Sequence, residues 1–323
     1  MNVPVLILAY QRDEHLQRCL DSLISLGASP LYISQDGSAE RRTDSWLATL
    51  DLISKYKQLG LIQEFQVLDR NYGTLEGVQQ GISWFLEHEK FGLIIEDDIV
   101  LHGTALLDAS RLFKRMFADT RVAGINLYPA LPQMFRSKLA TGSYRYSIFS
   151  NSFAWGTTSE KWNQRQNCTD LRSILKVGKY LQKKVGLNIA LGWVFYLIEE
   201  RFRETFFSKE YKRIGNWDIR WTSTLFLNSW YALVMNSNNV ENIGWDGLST
   251  HTKIPTAEDL QNLALDFGRR AWLDPIDDFP NSVFDQASMN RFNLIRKVRS
   301  IIALRSKIYR IRLFIYRIAH HHK

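Results

Sequence analysis

The sequence predicts an α/β fold, a mostly parallel central sheet flanked by helices. Two observations carry that prediction. Apolar strand-like runs alternate four times with amphipathic helical stretches in the first 100 residues, the pattern of consecutive βα units. Two of those runs, Val3 to Ala9 and Phe91 to Ile95, are also apolar rather than alternating, as strands covered on both faces are. In order, Val3 to Ala9 is a buried strand, and Asp13 to Leu26 a helix with Leu16, Leu20, Leu23 and Ile24 on one face. Pro30 to Ser34 is a short strand closed by Gln35, Asp36 and Gly37; a helix with Trp46, Leu47, Leu50 and Ile53 then leads to a strand around Ile62 to Leu68. Asn71 to Gly73 is a turn, and a helix to about His88 delivers the chain into Phe91 to Ile95, which ends in the three acids Glu96, Asp97 and Asp98.

Beyond Asp98 the pattern is less regular. Leu106 to Met116 reads as a helix, Val122 to Leu127 as a strand, Tyr128 to Thr141 as a loop, Tyr144 to Ser150 as a strand and Phe153 to Gly156 as a turn. Residues 157 to 230 read as mainly helical, Tyr231 to Met235 as a short strand and 236 to 256 as a polar loop. There is no internal repeat and no linker before about residue 290.

Composition is that of a folded protein, with 323 residues, 45% of them hydrophobic and 23% charged. The formal charge of +8 is unevenly placed: residues 291–323 hold ten Lys or Arg and no Asp or Glu, leaving 31 basic against 33 acidic residues in the body. Basicity therefore points to a partner of the tail, and no nucleic-acid-binding motif appears in the body. In the tail Leu294, Val298, Ile301, Leu304, Ile308, Ile311, Ile315 and Ile318 follow helical spacing among arginines, as a helix lying in an anionic membrane interface would; packing on the body is the alternative. Cys19 and Cys168 are isolated and without metal-ligand spacing, the first residues read as a strand and not as a leader, and the longest apolar segment, Val185 to Ile198, is too short to span a bilayer. These point to a cytoplasmic protein, peripheral on the inner face of the plasma membrane.

The chemistry-bearing residues gather at predicted strand ends. In a parallel sheet the carboxyl ends of the first, second and fourth strands share one rim, where ligands bind, and the chain places Arg12, Asp36 and Glu96–Asp98 there. Three adjacent carboxylates repel, so a cation is expected among them, and a divalent metal bridging substrate phosphates fits. An arginine offers a planar fork to a base or phosphate, and an aspartate an acceptor for an imide or hydroxyl. Singly, Arg12 and Asp36 also read as capping or turn residues. There is no GxGxxG after the first strand and no GxxxxGK[ST] anywhere, which argues against dinucleotide and P-loop phosphate binding.

The segments VLILAYQR, LYISQDG, the RNYG turn and IIEDD, with GNWDIRWT and NIGWDGLSTHT downstream, resemble a GT-A fold glycosyltransferase of the branch around N-acetylglucosaminyltransferase I and bacterial family 2-like sugar transferases of polysaccharide synthesis. The resemblance covers residues 3 to about 252. It implies a nucleotide-sugar-binding half over 1–127 and an acceptor-binding, catalytic half over 128–290 of one GT-A domain, followed by the basic amphipathic helix of 291–323. It implies Asp98 as the metal carboxylate for Mn2+ or Mg2+, Glu96 near the ribose, Asp97 near the donor sugar, Arg12 and Asp36 at the base, commonly uracil, and Asn71 beside the donor cleft. Glu rather than Asp at 96 is a known variant in this branch.

The resemblance further implies Asp218, in RIGNWDIRW, as the base that deprotonates the acceptor hydroxyl in inverting transfer; a first-turn helix residue stabilised by the dipole is the other reading. Glu199 and Glu200 are weaker candidates within a charge run. His251 would complete the metal shell or pack its loop, and Trp245 and Asp246 lie beside it. The expected activity is metal-dependent transfer of a hexosyl or N-acetylhexosaminyl group from a nucleotide-diphosphate sugar to a glycan or lipid-linked oligosaccharide. A sugar nucleotidyltransferase would want a basic glycine-rich loop after the first strand, where AYQRDEH stands; a non-catalytic membrane-associated scaffold would leave the clustering of Arg12, Asp36 and Glu96–Asp98 without a reason.

Overall fold

The structure, a computed structural model, describes residues 1–38, 42–131, 143–206, 215–244 and 285. His251, Trp245, Asp246 and the helix expected over 291–323 lie outside the described residues.

The first part is built as the alternation predicts. Strand β1 (Val5–Ala9) is followed by α1 (Asp13–Ser25), β2 (Leu31–Gln35), α2 (Asp44–Gln58), β3 (Glu64–Val67), α3 (Gly73–His88) and β4 (Phe91–Glu96). The four strands pair in parallel, in the order β3-β2-β1-β4. Alternate residues of β1 face different cores, as strand geometry requires. Val5 and Ile7 join Leu16, Leu20 and Leu23 of α1, whereas Leu6 and Leu8 join Ile82, Phe85 and Leu86 of α3. A strand covered on both faces has no room for polar side chains, which explains its unbroken apolar run. Thr43 opens α2 by accepting the backbone N–H of Trp46, at 3.2 Å.

After β4 come β5 (Ile99–Leu101), α4 (Ala105–Ala118), β6 (Val122–Asn126), β7 (Tyr144–Ser147), β8 (Trp155–Thr158), α5 (Ser159–Asn163), α6 (Leu171–Val185), α7 (Leu187–Phe206), α8 (Trp217–Asn228), β9 (Tyr231–Met235) and β10 (Val240–Asn242). The eight-stranded sheet runs β3-β2-β1-β4-β8-β6-β9-β7. Strand β8 is antiparallel to both β4 and β6, and β7 is antiparallel to β9. The domain is thus α/β, with a largely parallel central sheet flanked by helices: α1, α2 and α4 contribute to the core on one face, α3, α5 and α8 to that on the other.

Two expectations are corrected. Phe153 to Gly156 is not simply a turn, since Trp155–Thr158 forms the antiparallel strand between β4 and β6. Gly156 marks a close approach: a Cβ there would lie 2.6 Å from Phe113 and 2.8 Å from the carbonyl of Gly92 in the adjoining strand. Within 236–256, Val240–Asn242 is a strand, pairing antiparallel with Ile99–Leu101. That pairing brings residues 243–244 back over the acidic cluster, through the Ile243 N–H donated to the Asp98 carbonyl at 2.9 Å.

Four of the described tryptophans form one cluster of core. Trp155, Trp162, Trp217 and Trp221 pack with ring centroids 5.3–6.2 Å apart, and Trp162 Nε1 donates to Ser83 Oγ of α3 at 3.0 Å. Trp217 and Trp221 share a face of α8, as their four-residue spacing predicts, and pin the start of that helix beneath the sheet.

Candidate active site

Register sets the site. Ala9 lies opposite Gln35, and Leu8 opposite Glu96, so Asp97 comes level with Ala9, and Tyr10, Asp36 and Asp98 follow one step on, all at the carboxyl edge of β1, β2 and β4. The ladder continues briefly past the strands: the Asp36 N–H donates to the Ala9 carbonyl at 2.9 Å and the Asp97 N–H to the Leu8 carbonyl at 3.0 Å. At this edge the backbone diverges into loops and helices, and side chains can converge on a ligand.

Arg12, at the N-terminal boundary of α1, is the cation among the carboxylates. Its Nη2 lies 2.7 Å from Asp97 Oδ1 and its Nη1 donates to Asp98 Oδ2 at 2.9 Å. The Tyr10 N–H donates to Asp97 Oδ2 at 3.2 Å. Gly244 closes over the pair; a Cβ there would collide with the Asp98 carboxylate and lie 3.1 Å from Arg12 Nη1, so only glycine permits this approach. Asp98 Oδ1 is buried and has no hydrogen-bond partner among the described residues.

One guanidinium does not balance three carboxylates. Burial and the charges of Asp98 and Asp97 push the Glu96 carboxyl up to about 8, partly opposed by Arg12. Burial raises Asp97 to about 6, with Arg12 opposing and Asp98 reinforcing the rise. For Arg12, desolvation works against the charge, but Asp97, Asp98 and Glu96 together hold its pKa above the ordinary value. The cluster is an electrostatically costly arrangement that retains an excess of negative potential.

Asp36 is held differently. Its Oδ1 accepts the Gly37 and Tyr72 N–H groups, each at 2.9 Å, and its Oδ2 accepts the Gly73 N–H at 2.7 Å. It therefore ties the end of β2 to the start of α3, satisfying N–H groups that the helix itself leaves open. Gly77, one turn into α3, makes room for this carboxylate: a Cβ would lie 3.1 Å from it. Asn71 is half-buried in the turn before α3, where its N–H donates to the Ser38 carbonyl at 3.1 Å.

Asp218 stands in the first turn of α8, half-buried, with Oδ1 accepting the Ile219 N–H at 2.9 Å. Its charge adds to the rise of Glu96 and of the Tyr196 phenol, so it shares an electrostatic environment with the rim. The start of α8 is anchored on two sides. Thr74 Oγ1, at the start of α3, donates to the Gly215 carbonyl at 3.2 Å, and Asn216 Nδ2 donates to Tyr196 Oη at 3.1 Å and Glu200 Oε1 at 3.0 Å. Glu200 is thus buried against Asn216, and Glu199 pairs with Arg203 along α7 at 2.7 Å. The structure brings Arg12, Asp97 and Asp98 into direct contact, places Glu96 within their electrostatic reach, sets Asp36 and Asn71 on the neighbouring β2–α3 side and turns the Asp218 end of α8 toward them.

Sequence reasoning missed Tyr10, Thr74, Asn216 and Gly244 as parts of this arrangement. Gly244 alone carried a signal, a glycine between two apolar residues in NIGW, but the need for it arises from the β5–β10 pairing. Cys19 and Cys168 are buried free thiols, both shifted upward by burial, as structural rather than reactive cysteines are.

Among the described residues no group of three or more His, Cys, Asp or Glu is arranged to hold a metal ion. Asp98 nevertheless offers one buried oxygen without a partner, a fit for a hard cation that takes its remaining ligands from substrate phosphates and water.

No family model and no curated protein matches the chain. Among solved structures it is similar to TarS from S. aureus, at 16% identity over 40% of this chain and 21% of that one, TM-score 0.31. It is similar to the mannosyltransferase PcManGT from Pyrobaculum calidifontis in complex with GDP-Man and Mn2+, at 10% identity over 71% of this chain and 74% of that one, TM-score 0.38. HddC from Yersinia pseudotuberculosis matches at 11% identity over 49% of this chain and 77% of that one, TM-score 0.29. The chain spans about a fifth of the length of the full TarS structure.

Proposed function

We propose that this chain is a metal-dependent, inverting GT-A glycosyltransferase that moves a hexosyl or N-acetylhexosaminyl group from a UDP-sugar to a hydroxyl of a glycan or lipid-linked oligosaccharide. The observation that carries the reading is the convergence of Arg12, Glu96, Asp97 and Asp98 at the carboxyl edge of the parallel strands, with Asp98 Oδ1 buried and without a hydrogen-bond partner among the described residues. Folding alone gives no reason to bury three carboxylates around one arginine, whereas a site that takes up a cation and a diphosphate does.

Asp98, joined by His251, would hold Mn2+ or Mg2+, whose charge offsets the negative charge that develops on the departing diphosphate. Arg12 clamps the Asp97 and Asp98 carboxylates in orientation, so that Asp98 Oδ1 needs no reorganisation to receive its ligand. Glu96 and Asp97 contact the ribose and sugar of the donor. Asp36 and Asn71 shape the base end of the cleft through the β2–α3 junction that Asp36 ties together. Asp218 takes the acceptor proton as the acceptor oxygen attacks the anomeric carbon; the bond from that carbon to the diphosphate oxygen breaks, and nucleoside diphosphate leaves with the electron pair. The protein acts in the cytoplasm, and the tail 291–323 holds it peripherally on the anionic inner face of the plasma membrane. Among the described residues no helix is long and apolar enough to cross a membrane.

The test is a panel of UDP-, GDP- and other nucleotide sugars with Mn2+ or Mg2+. The expected result is nucleoside diphosphate release, slow with water and faster with the true acceptor. Absence of both binding and turnover across the panel overturns the reading, and pyrophosphate release or consumption would mark a nucleotidyltransferase instead.

A further inference from the structure

The described surface carries one large apolar feature that the site does not use. Helices α6 and α7 are joined by Gly186 alone, in the positive-φ conformation that glycine tolerates at a helix end (φ +93°). They double back as a hairpin: Gly178 and Val194, equidistant in sequence from Gly186, face each other so closely that a Cβ on Gly178 would lie 2.8 Å from Val194. The inner side of the hairpin is ordinary core, with Ile174, Val177, Leu181, Ile189, Trp193 and Leu197 packing with Phe149 and Phe226.

The outer side of α7 is apolar as well. Leu187, Leu191, Phe195, Ile198, Phe202 and Phe206 are all exposed, at 42–66% of their full accessibility. At about 100° per residue these six fall within one arc of roughly 100°, nearly opposite the buried face. The stripe runs the length of the 20-residue helix, and α6 extends it with Leu171 and Leu175, both more than 60% exposed. Contiguous apolar surface on this scale marks an interaction site, because leaving it in water gives up the stabilisation that burial would supply.

Charge selects the occupant. Helix α6 carries Arg172, Lys176, Lys179, Lys183 and Lys184 and no acidic residue. The acids of α7 are engaged elsewhere: Glu199 with Arg203, Glu200 with Asn216, and Glu204 with Thr169 and Arg220. An apolar stripe bordered by lysines matches the head-group and acyl boundary of an anionic bilayer, with the lysines reaching for head groups. A second copy would set two basic α6 helices together, and the tail 291–323, with ten basic and no acidic residues, would be repelled from α6 in the same way.

We propose that the outer face of the α6–α7 hairpin is a monotopic docking surface for an anionic lipid bilayer, separate from the tail. It does not depend on the catalytic reading. Docking there would leave the start of α8, bonded through Asn216 to Tyr196 and Glu200 of α7, about one helix diameter from the lipid.

The test floats the full chain with vesicles of phosphatidylcholine plus phosphatidylglycerol, and with phosphatidylcholine alone. The wild type binds the anionic vesicles. The triple variant Leu191→Ser, Ile198→Ser, Phe202→Ser, all at exposed positions, keeps its unfolding midpoint and partitions about a hundredfold more weakly. Lys176→Glu, Lys179→Glu, Lys183→Glu lowers the preference for anionic over neutral vesicles and its dependence on salt, leaving only the share that the basic tail supplies. Unchanged partitioning of the serine variant overturns the proposal. So does a wild-type dimer in sedimentation that the serine variant dissociates while vesicle binding stays the same, since the face would then belong to a second copy.

Discussion

Two clusters made of the same residue types sit at opposite edges of the sheet and are tuned in opposite directions. At the carboxyl edge, Glu96, Asp97 and Asp98 share one Arg12, and Glu96 and Asp97 are pushed up to about 8 and about 6. At the amino end of β6, the single carboxylate of Asp119 accepts the Arg121 N–H, Nε and Nη2 and the Tyr146 hydroxyl at 2.7–3.0 Å, while Arg115 Nε donates to that hydroxyl at 3.2 Å. Hydrogen bonds from Arg121, opposed by some desolvation, draw Asp119 below the ordinary carboxylate range. The second cluster stabilises the native state in an ordinary way. The first is raised by burial and mutual repulsion, a charge arrangement that the proposed donor site would give a reason for.

The largest effect expected from this contrast is on turnover. Asp218→Ala should lower transfer to the true acceptor about a thousandfold, within the range of a lost general base, and leave donor and metal affinity unchanged. Normal turnover by this variant, with the acceptor saturating, would end the base assignment. Next, Asp98→Ala should weaken Mn2+-dependent nucleotide binding about a hundredfold, read by calorimetry, because the unpartnered oxygen is lost. Equal affinity would detach the metal from Asp98.

A smaller effect should appear in stability, with opposite signs at the two edges. Glu96→Gln removes a carboxyl that must take up a proton on folding at neutral pH, since its folded pKa is raised to about 8, and should raise stability by about 1–2 kcal/mol in urea unfolding at pH 7 without added metal; a fall would mean that the acidic cluster supports the fold. Asp119→Asn should cost about 1 kcal/mol at pH 7, a figure held down because Arg121 is 43% exposed. Since the folded pKa of Asp119 lies below its unfolded value, its contribution is present above the unfolded carboxylate range near 4 and is lost as pH falls through the folded value. The gap between wild type and Asp119→Asn should therefore narrow at acid pH; a constant gap would break the contrast.

Much of this was legible in residue order. The apolar runs ending in Ala9 and Ile95, with the short strand ending in Gln35 between them, separated by helices with i, i+3, i+4 apolar spacing, determined a parallel α/β sheet, because a strand covered on both faces admits little else. The same logic placed Arg12, Asp36 and the acidic trio at one rim. The strand at Trp155–Thr158 was illegible, because a short apolar run ending in glycine reads equally as a turn, and only the space left by Gly92 and Phe113 makes it a strand.

Tertiary structure alone decided how the rim is wired. Local sequence could say that three carboxylates need a cation, but that Arg12 pairs with Asp97 and Asp98 depends on the β1–β4 register, and that Gly244 closes over this pair depends on the β5–β10 pairing. Likewise α7 is apolar on two faces in sequence, and nothing local distinguishes a fully buried helix from one with a face in water. Its packing on α6 and α8 buries one face and leaves the other exposed. Burial is a property of neighbours distant in the chain, which local composition and periodicity do not encode.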